Sequence, residues 1–148
     1  MLEIGDSAPS FALSDEHGET HLLSECEGKW TLIYFYPKDD TPGCTKEACV
    51  IRDVYHDFER MGVGVFGVSR DTSESHRAFK AKYQLPFTLL SDESGEMIRA
   101  YEAQDEETGG TKRISYLIAP DLTIAKAYPN VDPANHAVEI LKDVGELR

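Results

Sequence analysis

Apolar and polar residues fall in short alternating blocks along this chain. The runs at 31–37 (TLIYFYP) and 63–69 (VGVFGVS) are almost wholly apolar and rich in β-branched and aromatic residues. Runs of that length and composition predict buried strands. Between them the period changes. Ile51, Val54, Tyr55 and Phe58 stand at i, i+3, i+4 and i+7, so residues 42–61 predict a helix with one apolar stripe, stopped by Gly62. Residues 71–85 predict a second helix, with Asp71 and Glu74 at capping-box spacing. A strand at 87–92 and a short helix at 94–102 follow. Strands at 113–119 and 122–128 flank Pro120-Asp121, which reads as a hairpin turn. Residues 133–148 predict a closing helix with Pro133 near its first turn. Residues 13–23 suit an N-terminal hairpin around His17-Gly18, and 103–112 read as a mobile loop. Strands alternating with helices, then a hairpin and a final helix, point to an α/β sandwich. The 148 residues suffice for one domain, 1–148, around a single core.

Composition narrows the function classes. A formal charge of −12 repels polyanions and argues against nucleic acid as a partner. No apolar run approaches the roughly 20 residues of a membrane span. The opening MLEIGDSAPSFAL lacks a basic flank followed by an apolar stretch, so a cytoplasmic protein is expected. Three cysteines argue against a disulfide framework and leave catalytic, redox, metal or packing roles.

Two of the three cysteines lie in PKDDTPGCTKEAC, residues 37–49. Thr41 is a good N-cap and Pro42 a good first helical residue, which makes Cys44 the third residue of the helix. Unpaired amides and the positive end of the helix dipole favour an anion there, so the Cys44 thiol is expected to ionise more readily than a free cysteine. Gly43 leaves room for a small molecule to approach the sulfur, and Pro37 helps to fix the loop presenting Thr41. At 100° per residue Cys44 shares the buried stripe with Ala48, Ile51, Tyr55 and Phe58, while Cys49 is rotated about 140° away. Their Cα atoms would stand roughly 8–9 Å apart in a regular helix, and a disulfide requires less than about 7 Å. The two can be joined only if this stretch unwinds. Such a thiol suits peroxide reduction: attack on the O–O bond gives a sulfenic acid, and a nearby thiol condenses with it. Ionisation alone gains at most about 30-fold at neutral pH. The rest of the rate needs donors aimed at the peroxide oxygens: the Thr41 hydroxyl, the Gly43 and Cys44 amides and one guanidinium.

The segment resembles the active site of peroxiredoxins, whose pattern Pro-x-x-x-Thr-x-x-Cys is met by Pro37, Thr41 and Cys44. The Cys-x-x-x-x-Cys continuation resembles the bacterioferritin comigratory, or Q-type, branch. GDSAPSFAL, GVSRDTSESHRAF, LPFTLLSD and RISYLIAPD follow in family order, so the likeness runs nearly end to end. It implies a thioredoxin-like fold, a central mixed β-sheet flanked by helices, with an N-terminal β-hairpin extension. It implies a peroxidatic role for Cys44, a resolving role for Cys49 and a catalytic arginine at Arg113. It also implies a thioredoxin-type dithiol as reductant and hydroperoxides as substrates. No cofactor is expected, and no metal, because no cluster of cysteine or histidine lies near Cys44 and Cys49 in sequence. Members of the branch are monomers or dimers, and a monomer is expected here. By the same resemblance Glu47 orients Arg113; read from the residues alone it serves equally as an exposed helix carboxylate. Departures fall at Ser115, Tyr116 and Ala119, where the family commonly has Thr, Phe and Asp. Cys26 reads as a packing residue, the five histidines as surface or structural, and Phe35 or Tyr36 as a wall of the site. A general thiol–disulfide oxidoreductase and a redox-controlled binding module are the competing classes; the lack of Cys-x-x-Cys counts against the first.

Overall fold

The computed structural model describes residues 1–148. Seven strands form one mixed sheet: β1 Ala12–Asp15, β2 Thr20–Leu22, β3 Trp30–Phe35, β4 Val63–Ser69, β5 Thr88–Ser91, β6 Ser115–Ile118 and β7 Ile124–Tyr128. Their spatial order is β2-β1-β5-β4-β3-β6-β7. The three central strands β3, β4 and β5 run parallel; β6 and β7 on one side, and β1 and β2 on the other, are antiparallel. The helices are α1 Pro42–Asp53, α2 Tyr55–Arg60, α3 Ser73–Tyr83, α4 Glu96–Ala100 and α5 His136–Leu147. This is the thioredoxin-like arrangement with a hairpin added at the N-terminus.

The two-residue period of β3 divides the core. Leu32, Tyr34 and Tyr36 point to one face, where they pack with Cys44, Ala48, Ile51, Phe58, Phe79, Ile140 and Val144. Ile33 and Phe35 point to the other, where they meet Val68, Leu90, Ile98, Tyr101 and Tyr116. Central strands covered on both faces must be apolar throughout, which is why 31–36 lacks polar alternation. Gly67 on β4 sits opposite Tyr34 on β3. A Cβ there would lie 2.8 Å from the Tyr34 hydroxyl and 2.9 Å from Leu89, so glycine is what lets the ring lie across the strand.

The expected N-terminal hairpin forms. Asp15 Oδ1 accepts from the His17 and Glu19 amides at 2.8 and 3.0 Å, and Gly18 takes φ +80°. Three local expectations are corrected. The helix foreseen over 42–61 breaks at Val54, whose φ −112°, ψ 13° separates α1 from α2 while the apolar stripe continues to Phe58. The cap of α3 is Thr72, whose hydroxyl accepts from the Ser75 amide; Asp71 instead accepts from the Ser69 hydroxyl and the Asp39 amide. Pro133 precedes α5 in a turn held by Asp132, which accepts from the Ala134 amide and the Asn135 side chain. The 103–112 loop is tied across its base by a Gln104–Thr111 bridge and by bonds between Lys112 and Ala103 and between Asp105 and Gly110.

Candidate active site

The site lies at the carboxyl ends of the parallel strands, where β3 hands over to α1. Thr41 is extended at the N-cap position, Pro42 is the first helical residue, and Cys44 follows as the third. The Gly43 and Cys44 amides therefore have no acceptor within the helix. Cys44 is buried at 2% exposure, and Cys49 is half-buried further along the same unbroken helix. All three cysteines are free thiols.

Chain folding brings Arg113, from the segment entering β6, onto the first turn of α1. Its Nη2 donates to Cys44 Sγ at 3.3 Å and its Nη1 to Glu47 Oε1 at 2.9 Å. Burial lowers the Arg113 pKa, but the sulfur and the Glu47 carboxylate more than offset that and hold it above its ordinary value. Glu47 is therefore no exposed helix carboxylate: it is 1% exposed, one turn past Cys44. Burial pushes its pKa up to about 7 even though Arg113 pulls it down. Its second oxygen, Oε2, has no hydrogen-bond partner, and neither has the buried Tyr34 hydroxyl. Burial first, then the charges of Glu47, Asp39 and Cys44, drive the Tyr34 pKa well above that of an exposed phenol.

Two expectations about this loop change in detail. The Thr41 hydroxyl does not cap the helix; it donates to the Lys38 carbonyl at 2.8 Å, closing the turn after Pro37. A hydroxyl that has spent its proton still offers two lone pairs, so Thr41 is free to accept a hydrogen bond rather than donate one. The space beside Gly43 is taken by the arginine: a Cβ at Gly43 would lie 2.8 Å from Arg113 Nη2. Glycine is needed for the guanidinium to reach the sulfur.

Two other arginines are engaged elsewhere. Arg52 binds Asp53 and the Tyr83 carbonyl, and Arg70 binds the Glu93 carbonyl. Cys26 is buried at the end of a 3-10 turn, Leu23–Cys26, and burial raises its pKa. Of the wall candidates, Phe35 lies on the opposite face, whereas Tyr36 stacks on Tyr34 at 5.5 Å on the Cys44 face.

Sequence reasoning missed the network under the loop. Tyr36 donates to Asp39 Oδ1 at 2.6 Å, and Asp39 Oδ2 accepts from the Ser75 hydroxyl at 2.8 Å and faces His76 Nδ1 at 2.7 Å. His76 Nε2 donates to the Leu90 carbonyl at 3.0 Å, and the ring is wholly buried. Asp39 thus bolts the loop to the start of α3. A polar DD pair in a predicted loop carries no sign that its first member is 7% exposed and its neighbour surface-facing.

A thiol under a guanidinium at a helix start, on a thioredoxin-like sheet, defines a class: thioredoxin-fold thiol enzymes whose sulfur meets an anionic or polar substrate. The comparisons specify it further. Residues 4–127 match the model of the AhpC/TSA family, and the chain belongs to that family. It is 39% identical over 154 residues to peroxiredoxin Bcp of Bacillus subtilis, covering 98% of each chain. It superposes on a cysteine-to-serine variant of PrxQ from Xylella fastidiosa with a TM-score of 0.94 at 32% identity, over 99% of this chain and 98% of that one. The bacterioferritin comigratory protein of Xanthomonas campestris, a structure described for alkyl peroxide reduction, superposes with a TM-score of 0.87 at 33% identity, over 93% and 91%.

Proposed function

We propose that Cys44 is the peroxidatic nucleophile of this thiol-dependent peroxidase. The observation that carries the proposal is the Arg113 guanidinium, 3.3 Å from the sulfur and braced by buried Glu47. The Cys44 thiolate attacks the terminal oxygen of a hydroperoxide. The O–O bond breaks, the sulfur keeps one oxygen as a sulfenic acid, and the other leaves as alkoxide or hydroxide and takes a proton. Arg113 and the Gly43 and Cys44 amides stabilise the charge that grows on the leaving oxygen. Thr41, with its own proton committed to Lys38, accepts from the peroxide and aligns it. Pro37 and Gly43 shape the approach, the first by fixing the turn, the second by admitting the guanidinium. Glu47 positions Arg113 from behind.

Cys49 then resolves the sulfenic acid: an S–S bond forms, and the hydroxyl leaves as water with the thiol proton. The regular helix forbids this contact, so the start of α1 must open first. A thioredoxin-type dithiol restores both thiols by exchange. Hydrogen peroxide and small organic hydroperoxides are the substrates, the second in keeping with the alkyl peroxide reduction described for the Xanthomonas protein. The reading assigns a monomer working in the cytoplasm; no helix is long and apolar enough to cross a membrane. Steady-state turnover of hydrogen peroxide with a thioredoxin system tests it. Cys44→Ser is expected to be inactive, and Cys49→Ser to oxidise once and stall; turnover by Cys44→Ser would refute the assignment.

A further inference from the structure

The two aspartates before Thr41 bind opposite ends of one helix. Asp39 is buried against Ser75 and His76 at the start of α3. Asp40 is exposed and reaches the last turn of the same helix. Its Oδ2 accepts from Lys82 Nζ at 2.8 Å and its Oδ1 from the Tyr83 hydroxyl at 2.7 Å. The carbonyl of Tyr83 in turn accepts from Arg52 Nη1 at 2.8 Å. Residues 82 and 83 therefore hold the polypeptide at two points, one upstream of Cys44 and one downstream of Cys49. The stretch that must unwind for the cysteines to meet lies wholly between those points.

The upstream point is built to release. Asp40 has φ +58°, a left-handed conformation that costs a non-glycine residue energy and persists only while neighbours hold it. Both partners of the ion pair are largely exposed, 41% for Asp40 and 58% for Lys82, so water and salt compete for it. The Tyr83 ring is anchored edge-on to buried Phe79 at 5.5 Å and carries Lys82 over its face at 5.3 Å, which keeps both donors in place. Asp39, by contrast, has both carboxylate oxygens engaged inside the protein.

We propose that Asp40, Lys82 and Tyr83 form a latch that sets how fast α1 opens after Cys44 is oxidised, and so divides the sulfenic acid between two fates. With the latch closed the helix stays folded, and a second hydroperoxide can oxidise the sulfenic acid to sulfinic acid, itself being reduced to water or an alcohol. With the latch open, Cys49 reaches the sulfur first, the disulfide forms and water leaves. The three residues are positioning residues of the resolving step. The inference rests on the roles given above to Cys44 and Cys49.

Rapid mixing with hydrogen peroxide, acid quenching and mass spectrometry measure it, counting Cys44 sulfenic acid and the Cys44–Cys49 disulfide against time. In Lys82→Ala/Tyr83→Phe the ratio of the disulfide-forming rate to the sulfenate-forming rate is expected to rise about 3- to 10-fold over wild type. The peroxide concentration that gives half-maximal sulfinic acid should rise in step. Lys82→Arg, which keeps the ion pair, should restore the wild-type ratio. Added salt should raise the ratio in wild type and leave it unmoved in the double variant. An unchanged or lower ratio in the double variant, with the disulfide forming normally in wild type, overturns the latch alone. Failure of wild type to form any Cys44–Cys49 disulfide overturns the reading beneath it as well.

Discussion

The two faces of the central sheet bury similar aromatic residues and treat their polar ends differently. On the face away from Cys44, Tyr101 donates to the Pro9 carbonyl at 2.7 Å, and Tyr116 donates to the Tyr101 carbonyl at 2.7 Å while accepting from the Leu2 amide at 3.1 Å. On the Cys44 face, Tyr36 is paired but the Tyr34 hydroxyl and Glu47 Oε2 are not. Two other buried atoms, Ser91 Oγ and Asp92 Oδ1, are also unpaired, at the end of β5. A buried polar group without a partner costs stability, and a carboxylate beside one arginine costs more. The face whose tyrosines are both paired is scaffold, although Asp92 there leaves Oδ1 unpaired while Oδ2 accepts from the Ile98 amide. The other holds Glu47 in an unfavourable place, where it pairs with the guanidinium that donates to Cys44.

The contrast breaks most sharply at Arg113. Arg113→Ala removes the one charged donor to Cys44, and the second-order rate of Cys44 oxidation by hydrogen peroxide should fall about 10²–10³-fold. Tyr116→Phe, on the scaffold face, should leave that rate as it is.

Glu47 comes next, and its effect depends on pH. Its pKa is about 7 in the native state against an ordinary 4.5, so the native protein holds this proton more tightly than the unfolded chain. Below pH 4.5 both states are protonated and the group is neutral to stability. Above pH 7 the native state carries the buried charge, at a cost on the order of 3 kcal/mol. His136 works the other way. Burial lowers its pKa to about 4 from 6.5, so its contribution is lost as pH falls through that range. The two slopes oppose each other in wild type. Glu47→Gln removes one of them, so its stability relative to wild type should climb between pH 4.5 and 7. Denaturant titrations at pH 5 and pH 7.5 read this directly, and a difference independent of pH would contradict the assignment.

Gly43→Ala acts on the same face at smaller scale. The new methyl would meet Arg113 Nη2 at 2.8 Å and displace it from the sulfur. A roughly tenfold slower Cys44 oxidation is expected, with the denaturation midpoint little changed. Smallest of all is the tyrosine pair. Tyr116→Phe loses two hydrogen bonds and should cost about 1–2 kcal/mol, whereas Tyr34→Phe removes an unpaired hydroxyl and should be neutral or mildly stabilising. Equal losses in the two variants would mean that Tyr34 has a partner after all.

Much of the architecture was legible because burial writes itself into composition. A strand covered on both faces is apolar throughout, and β3 and β4 were found on that signal. The stripe from Cys44 to Phe58 marked the helical face correctly, yet not the break at Val54, since an apolar period says which side is buried and nothing of a local kink. Cap positions slipped by a residue at Thr72 because Asp, Thr and Ser all satisfy the same local rule. At the site, the place of Cys44 as third residue of α1 was legible from Thr41-Pro42. Arg113, 69 residues away, was reached only by resemblance, because no local pattern encodes a contact across the sheet. Gly43 was seen as space, but for a substrate rather than a guanidinium. The Asp39–His76 bolt and the Asp40 latch left no trace, because loop aspartates look alike until a fold places one inside.

The proposed chemistry has two halves: Cys44 reacts first, and Cys49 reaches it by local opening of α1. Peptide mapping under non-reducing conditions, after one equivalent of hydrogen peroxide, tests both halves at once. A single Cys44–Cys49 cross-link is expected, with Cys26 recovered as a free thiol. A cross-link that includes Cys26, or a sulfenic acid that persists on Cys44 beside an unreacted Cys49, would contradict it.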